Sequence, residues 1–241
     1  MSSKIDLFLN ETYLSHGITK WVSWDMEQAP MALCVGQSGS GKSYCCNYLL
    51  TKLYLATKCE LYYLDYKGDI DNDYLVGSKR FYRYSECHEG LTAVYDRFIQ
   101  RQNGTDRTRH VIALFWDEYS SYCNAGDKKI IEEDKKKLGI LVSMGRSFKV
   151  HCIIAQQTGH ASFFNQFRDN FSLCIGMGNL SDEGRKMLFP DFAKDLPPNR
   201  SRGTGFLSFN GLKPVPIVVP KIRNHLLVHD AIRKAVDTPL R

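Results

Sequence analysis

Met31–Leu50 reads MALCVGQSGSGKSYCCNYLL, and within it Gly36-Gln37-Ser38-Gly39-Ser40-Gly41-Lys42-Ser43 has the form G-x-x-x-x-G-K-[ST]. The run before the octet is apolar and the residues after it read as a helix. That strand–loop–helix setting is the one in which the pattern cradles phosphate groups. The chemistry dictates the residue types. Glycines at 36, 39 and 41 let the backbone take positive φ and turn its N–H groups onto phosphate oxygens. The helix that follows adds its positive N-terminal end. Lys42 is expected to reach the β- and γ-phosphates of ATP, and the Ser43 hydroxyl to hold Mg²⁺. The expected nucleotide contacts are Gly36, Gln37, Ser38, Gly39, Ser40, Gly41, Lys42, Ser43 and Tyr44. A chance Gly/Ser-rich turn explains the octet alone, but it does not explain the flanks.

Outward from this stretch, strands and helices alternate. Cys59–Asp65 (CELYYLD), Arg107–Trp116 and Val150–Ala155 (VHCIIA) read as buried strands, and Phe171–Met177 as a further one. Phe81–Tyr84 reads as a short strand, and Trp21–Asp25 as one lying over the nucleotide site. Ser43–Lys58, Leu91–Gln102, Asp127–Phe148, Leu180–Leu188 and His229–Val236 read as helices. In the first of these Tyr44, Tyr48, Leu49, Leu53 and Leu55 are available for the core. Leu196–Gly205 is a loop rich in Pro, Gly and Arg, followed by a hairpin of Phe206–Phe209 and Val215–Val219. Continuous apolar strands between helices specify an α/β fold with a mainly parallel, doubly wound sheet. Residues 1–24 read as an N-terminal extension and 25–241 as the main domain.

Bulk properties narrow the class. The 241 residues are 43% hydrophobic and 24% charged, ordinary values for a globular chain. No apolar run is long enough to span a membrane, and the first ten residues lack a signal pattern, so a cytoplasmic protein is expected. Eight cysteines occur without a C-x-x-C pair, which argues for reduced, buried thiols over a zinc site. The net charge of +6 is compatible with a polyanionic partner without requiring one.

Two further strand ends carry chemistry. Ile112–Trp116 runs into Asp117-Glu118, the acidic pair a nucleoside triphosphatase needs. Asp117 is expected to orient Mg²⁺, and Glu118 to polarise the attacking water. Gln157, at the tip of VHCIIA, offers a neutral amide that can sense the γ-phosphate from the adjoining strand. Asp65 and Lys67 end another strand on the same edge, either facing a ligand or forming a solvated turn.

In combination the segments APMALCVGQSGSGKS, LYYLDYKG, VIALFWDEYSSY, GRSFKVHCIIAQQTG, RDNFSLCIGMGNLSDEGRKMLF and SRGTGF resemble the motor domain of the FtsK/SpoIIIE–HerA group of DNA-pumping ATPases. The likeness covers roughly residues 20–220 and is nearest to the FtsK-like proteins of Gram-positive conjugative elements. It implies a RecA-like P-loop fold and an ATP-driven, sequence-tolerant translocase of double-stranded DNA working as a homo-hexamer. It assigns Lys42 and Ser43 to phosphate and Mg²⁺, Asp117 and Glu118 to the acidic pair, Gln157 to the sensor, and Asp65 and Lys67 to an Asp-Pro-Lys strand end in which Tyr66 replaces the proline. The group's trans-acting arginine falls at Cys174, which leaves Arg168, Arg146 or Arg202 as substitutes. Relaxase, channel or capsid partners are implied. The same motor also serves viral or satellite genome packaging and energises protein secretion. For DNA contact, Lys128, Lys129 and Lys135–Lys137 stand out by density, and His160, Ser162, Asn165 and Arg168 by position.

Overall fold

The computed structural model describes residues 4–239. In chain order the elements are β1 (Lys4–Asn10), the one-turn helix α1 (Glu11–Leu14), β2 (Trp21–Asp25), β3 (Ala32–Val35), α2 (Lys42–Thr57), β4 (Glu60–Asp65), β5 (Phe81–Arg83), α3 (Cys87–Gln102), β6 (Ile112–Asp117) and α4 (Tyr119–Ala125). They continue as α5 (Lys128–Met144), β7 (Val150–Gln156), β8 (Leu173–Met177), α6 (Asp182–Leu188), β9 (Thr204–Phe209), β10 (Val215–Val218) and α7 (His225–Asp237). Short 3₁₀ turns occupy Ile70–Leu75 and Asn165–Asn170.

Among the described residues ten strands form one sheet in the order β2-β1-β10-β9-β8-β3-β7-β6-β4-β5. From β8 to β5 every pairing is parallel, with β3 between β7 and β8 at the centre. From β8 outward to β2 every pairing is antiparallel. The inner parallel strands β3, β4, β6 and β7 are buried on both faces, which is why their sequences read as near-continuous apolar runs. Alternation sends Ala32, Cys34, Leu61, Tyr63 and Phe115 to the face covered by α2 and α7. Leu33, Val35, Leu64, Leu114 and Trp116 go to the face covered by α3, α4, α5 and α6. This is the P-loop α/β architecture, a mainly parallel core with helices on both faces.

Three expectations change. Trp21–Asp25 forms β2 at the outer edge of the antiparallel wing, so it does not lie over the phosphate loop. Its partner β1, which the sequence pattern left unassigned, pairs with β10. The described part of residues 1–24 is therefore continuous with the sheet, and the expected boundary falls inside β2. In α2 the buried apolar positions are Cys45, Cys46, Leu49, Leu50 and Leu53, whereas Leu55 is 56% exposed. The cysteines serve as small core residues directly behind the phosphate loop, and that sets the helix phase.

His151, the second residue of β7, is buried, and this affects stability. Burial, seconded by Lys149, lowers its pKa from 6.5 to about 4. The folded chain thus holds the ring neutral where the unfolded chain protonates it. The stabilisation is full above pH 6.5 and is lost as pH falls through about 4. Its size is about 3 kcal/mol. Urea denaturation over that window should show the loss, and His151→Leu should remove about one proton from the pH slope. An unchanged slope in the variant would assign the acid sensitivity elsewhere.

Candidate active site

The ends of β3, β6 and β7 converge at the carboxyl edge of the sheet, where open α/β sheets bind ligands. The phosphate loop leaves β3 there, and close packing moulds it. A Cβ on Gly36 would meet Ser40 Oγ at 2.5 Å, and one on Gly178 would meet Ser40 Cβ at 2.7 Å. Gly39 and Gly41 hold φ of 81° and 93°, a region that a side chain disfavours. Gly41 is the N-cap of α2, so the amides of Lys42, Ser43 and Tyr44 have no intrahelical acceptor and remain available to an anion.

Lys42, Asp117 and Glu118 form a buried ion triad. Lys42 Nζ lies 2.7 Å from Asp117 Oδ1 and 2.9 Å from Glu118 Oε1. Burial pulls the pKa of the ammonium down, but Asp117 and then Glu118 outweigh it, and the net shift is upward. Lys42 is therefore charged at any physiological pH. Adjacent residues of a strand normally point to opposite faces. Here Glu118 adopts the left-handed φ of 56° as β6 turns into α4, and this turn returns its carboxylate to the side of Asp117. The Glu118 amide also donates to Asp117 Oδ1 at 3.1 Å. A non-glycine residue in this conformation is strained, and such strain collects at functional sites.

The triad is one wall of a cleft of about 170 Å³ that Gln37, Ser38, Gly39, Gly41 and Ser43 also line, with Gln157 at its rim. Gln157 follows the last residue of β7 and opens onto a second cavity of about 280 Å³, walled by His160, Ser181 and Glu183. The strand-end residue itself, Gln156, is buried, and its amide nitrogen donates to the Thr158 carbonyl at 2.6 Å. Tyr44 turns its ring out of the cleft, donating to the Pro220 carbonyl at 3.1 Å. Tyr44 is not among the residues that line the cleft. The Asp65–Lys67 pair divides. Asp65 is fully buried and receives N–H groups from Gly68, Asp69, Asn72 and Arg83. Burial raises its pKa against those donors, and its work is to fold the following loop. Lys67, Asp69 and Asp71 from that loop line the cleft.

Of the three arginines open to a second-cation role, only Arg202 lines this cleft. Arg146 lies in a separate groove beside Asn170, and Arg168 is paired with Asp169 at 2.6 Å. Cys174 is a largely buried thiol on β8, pushed up to about 12 by burial.

The donor chemistry fits Mg²⁺. Ser43 and Asp117 present hard oxygen ligands at the end of the loop, as this ion prefers. Among the described residues no group of three or more His, Cys, Asp or Glu side chains is placed to hold a metal unaided. Such sparse protein ligation is usual where phosphates and water complete the shell.

No protein-family model matches the chain. It is 25% identical over 207 residues to the FtsK domain-containing protein YdcQ of Bacillus subtilis (strain 168), an alignment that spans 78% of this chain and 42% of that relative. In sequence the chain is similar to an FtsK domain. Solved structures share the fold. The conjugation coupling protein TcpA of pCW3, in monomer form with ATPγS, superposes with a TM-score of 0.69 at 16% identity over 91% of this chain and 66% of its own. The cytoplasmic domain of the Thermomonospora curvata type VII secretion ATPase EccC gives 0.70 at 18% identity, over 99% of this chain and 31% of that one. The genome packaging NTPase B204 of Sulfolobus turreted icosahedral virus 2, in complex with AMPPCP, gives 0.53 at 13% identity, over 81% and 99% of the two chains.

The triad makes one variant informative. Lys42→Met leaves Asp117 and Glu118 buried without their cation, and breaking a buried pair in this way costs about 3–5 kcal/mol. The variant should therefore melt at lower temperature than the parent and also lose nucleotide binding. Equal melting temperatures would show that Lys42 is not paired in the free protein.

Proposed function

We propose that the chain is a Mg²⁺-dependent ATPase that drives translocation of double-stranded DNA. The observation that carries this reading is the convergence of the glycine-rich loop, Lys42 and the Asp117–Glu118 pair on one cleft. On binding, the triphosphate competes with the two carboxylates for Lys42 and frees them. Asp117 and Ser43 are the residues that would hold Mg²⁺, which would supply charge to offset the phosphates. Glu118 takes a proton from the attacking water, and Gln157 reports on the γ-phosphate at the rim.

A groove, more than any single lysine, supports the DNA reading. Lys135 and Lys136 of α5 face Phe167 and Asn170 of the 3₁₀ turn across a groove of about 1020 Å³, floored by Gly139. The lysine-rich helix and the segment after Gln157 thus flank one surface rather than two. Lys136 is exposed, whereas Lys135 and Lys137 pair with Glu132 and Glu133 within the helix. The side chain of Asn165 lies outside the described residues. An aromatic series joins this groove to the active site. Trp116 packs on Tyr119 at 4.9 Å, Tyr119 on Phe164 at 5.5 Å and Phe164 on Phe167 at 5.9 Å. Movement of Glu118 at the start of α4 has a rigid, close-packed route to the groove.

FtsK-domain likeness and the TcpA fold favour DNA as cargo and conjugative transfer as the setting, with relaxase or channel partners. The B204 fold favours genome packaging with capsid partners, and the EccC fold protein export. A cytoplasmic homo-hexameric ring suits a motor that surrounds its track. Among the described residues no helix is long and apolar enough to cross a membrane.

ATP hydrolysis should rise with added duplex of any sequence and with protein concentration. The stimulation should fall steeply with salt, as counterion release requires. Lys136→Glu should weaken duplex binding and lower stimulation without lowering the DNA-free rate. An ATPase indifferent to DNA at low salt would shift the assignment to protein export.

A further inference from the structure

We propose that Arg202 binds the triphosphate held by its own chain, acting in cis as a second cation alongside Lys42. The inference rests on the nucleotide-binding reading of the cleft and adds a residue to it.

Position comes first. Arg202 lines the same cleft as Lys42 and Glu118, and its Cγ lies 3.7 Å from the point where a Cβ on Gly41 would stand. The next residue is tied to the phosphate loop itself, since Gly203 N–H donates to the Ser40 carbonyl at 3.0 Å. The Gly203 carbonyl in turn accepts from Val219 N–H at 2.9 Å, and the Thr204 carbonyl accepts from Gly178 N–H at 2.9 Å. The loop that presents Arg202 is thus built on β8, β9 and the phosphate loop of one chain.

The root of the loop is also fixed. Arg200 pairs with Glu11 at 2.6 Å and lies over the Phe206 ring at 4.7 Å. Its amide donates to Asn179 Oδ1. Arg202 itself is exposed and has no hydrogen-bond or carboxylate partner among the described residues. A rigid mount that carries an unpaired guanidinium at the mouth of an anion site is organised for a ligand.

Charge balance favours a further cation at the phosphates. Asp69, Asp71, Asp117 and Glu118 face Lys42, Lys67 and Arg202 around the cleft, so the carboxylates outnumber the cations. Lys42 is already shared between two of those carboxylates. A polyanion entering this wall meets repulsion that Lys42 alone does not offset. The guanidinium fork fits phosphate oxygens bidentately.

The test is binding of a fluorescent ATP analogue by dilute protein, with and without Mg²⁺, followed by a mixing experiment. Arg202→Ala should raise Kd about 10- to 100-fold, the range expected for a lost charge-assisted contact, and Arg202→Lys should recover part of the loss. Glu11→Gln, which loosens the mount, should raise Kd by a smaller factor. Arg202→Ala should melt with the parent because the side chain holds nothing else. If it does not, the comparison of Arg202→Lys with Arg202→Gln decides, and equal affinity in those two overturns the proposal. Equimolar Lys42→Ala and Arg202→Ala chains should then be mixed and assayed for hydrolysis. No recovery is the result expected for a residue acting in cis. Recovery would show that Arg202 serves a neighbour's site and would overturn the assignment, as would parental affinity in Arg202→Ala. Failure of the parent chain to bind the analogue would instead remove the nucleotide reading, and this inference with it.

Discussion

Two carboxylates and one ammonium share a dry space at the end of the sheet, and the rest of the site is arranged around that fact. Burying three charges is costly unless each is paired with good geometry. Lys42 meets both acids within hydrogen-bond distance, and the Glu118 amide helps hold Asp117. The arrangement requires strand β6 to end in a left-handed residue, since an extended Glu118 would face the other side. The strain at Glu118 is therefore a consequence of the pairing.

Under the proposed function, Lys42 occupies the place beside the carboxylates that Mg²⁺ would take, and the carboxylates the place beside Lys42 that phosphate would take. The turn after β8 and the loop before β9 clamp the phosphate loop from two sides, through Gly178 against Ser40 and Gly203 N–H on the Ser40 carbonyl. The antiparallel wing supports this clamp, because Glu11, just after β1, anchors Arg200. Strands far from the cleft thereby help to fix its wall.

The parallel core was legible in the sequence because each of its strands is a single apolar run and the phosphate loop announces its own conformation. The acidic pair was legible as two adjacent carboxylates at a strand end, although no pattern discloses that Glu118 is left-handed. The antiparallel wing was less so. β1, KIDLFLN, is short and mixed, and its pairing with β10 joins opposite ends of the chain. Asp65 read equally as ligand-facing or as a turn residue; its burial under Asn72 and Arg83 depends on contacts made by the following loop. Arg202 was visible only as one arginine among several, because its approach to Gly41 depends on how β8 and β9 pair.

In the proposed function Glu118 is the group that would activate water once Lys42 has passed to the phosphates. Glu118→Gln keeps the size and hydrogen bonding of the side chain and removes its basicity. The direct measurement is to load this variant with ATP and Mg²⁺, remove free nucleotide and identify what remains bound. Intact ATP, retained while the parent chain yields ADP, is the predicted result. Conversion to ADP at the parental rate would contradict the account.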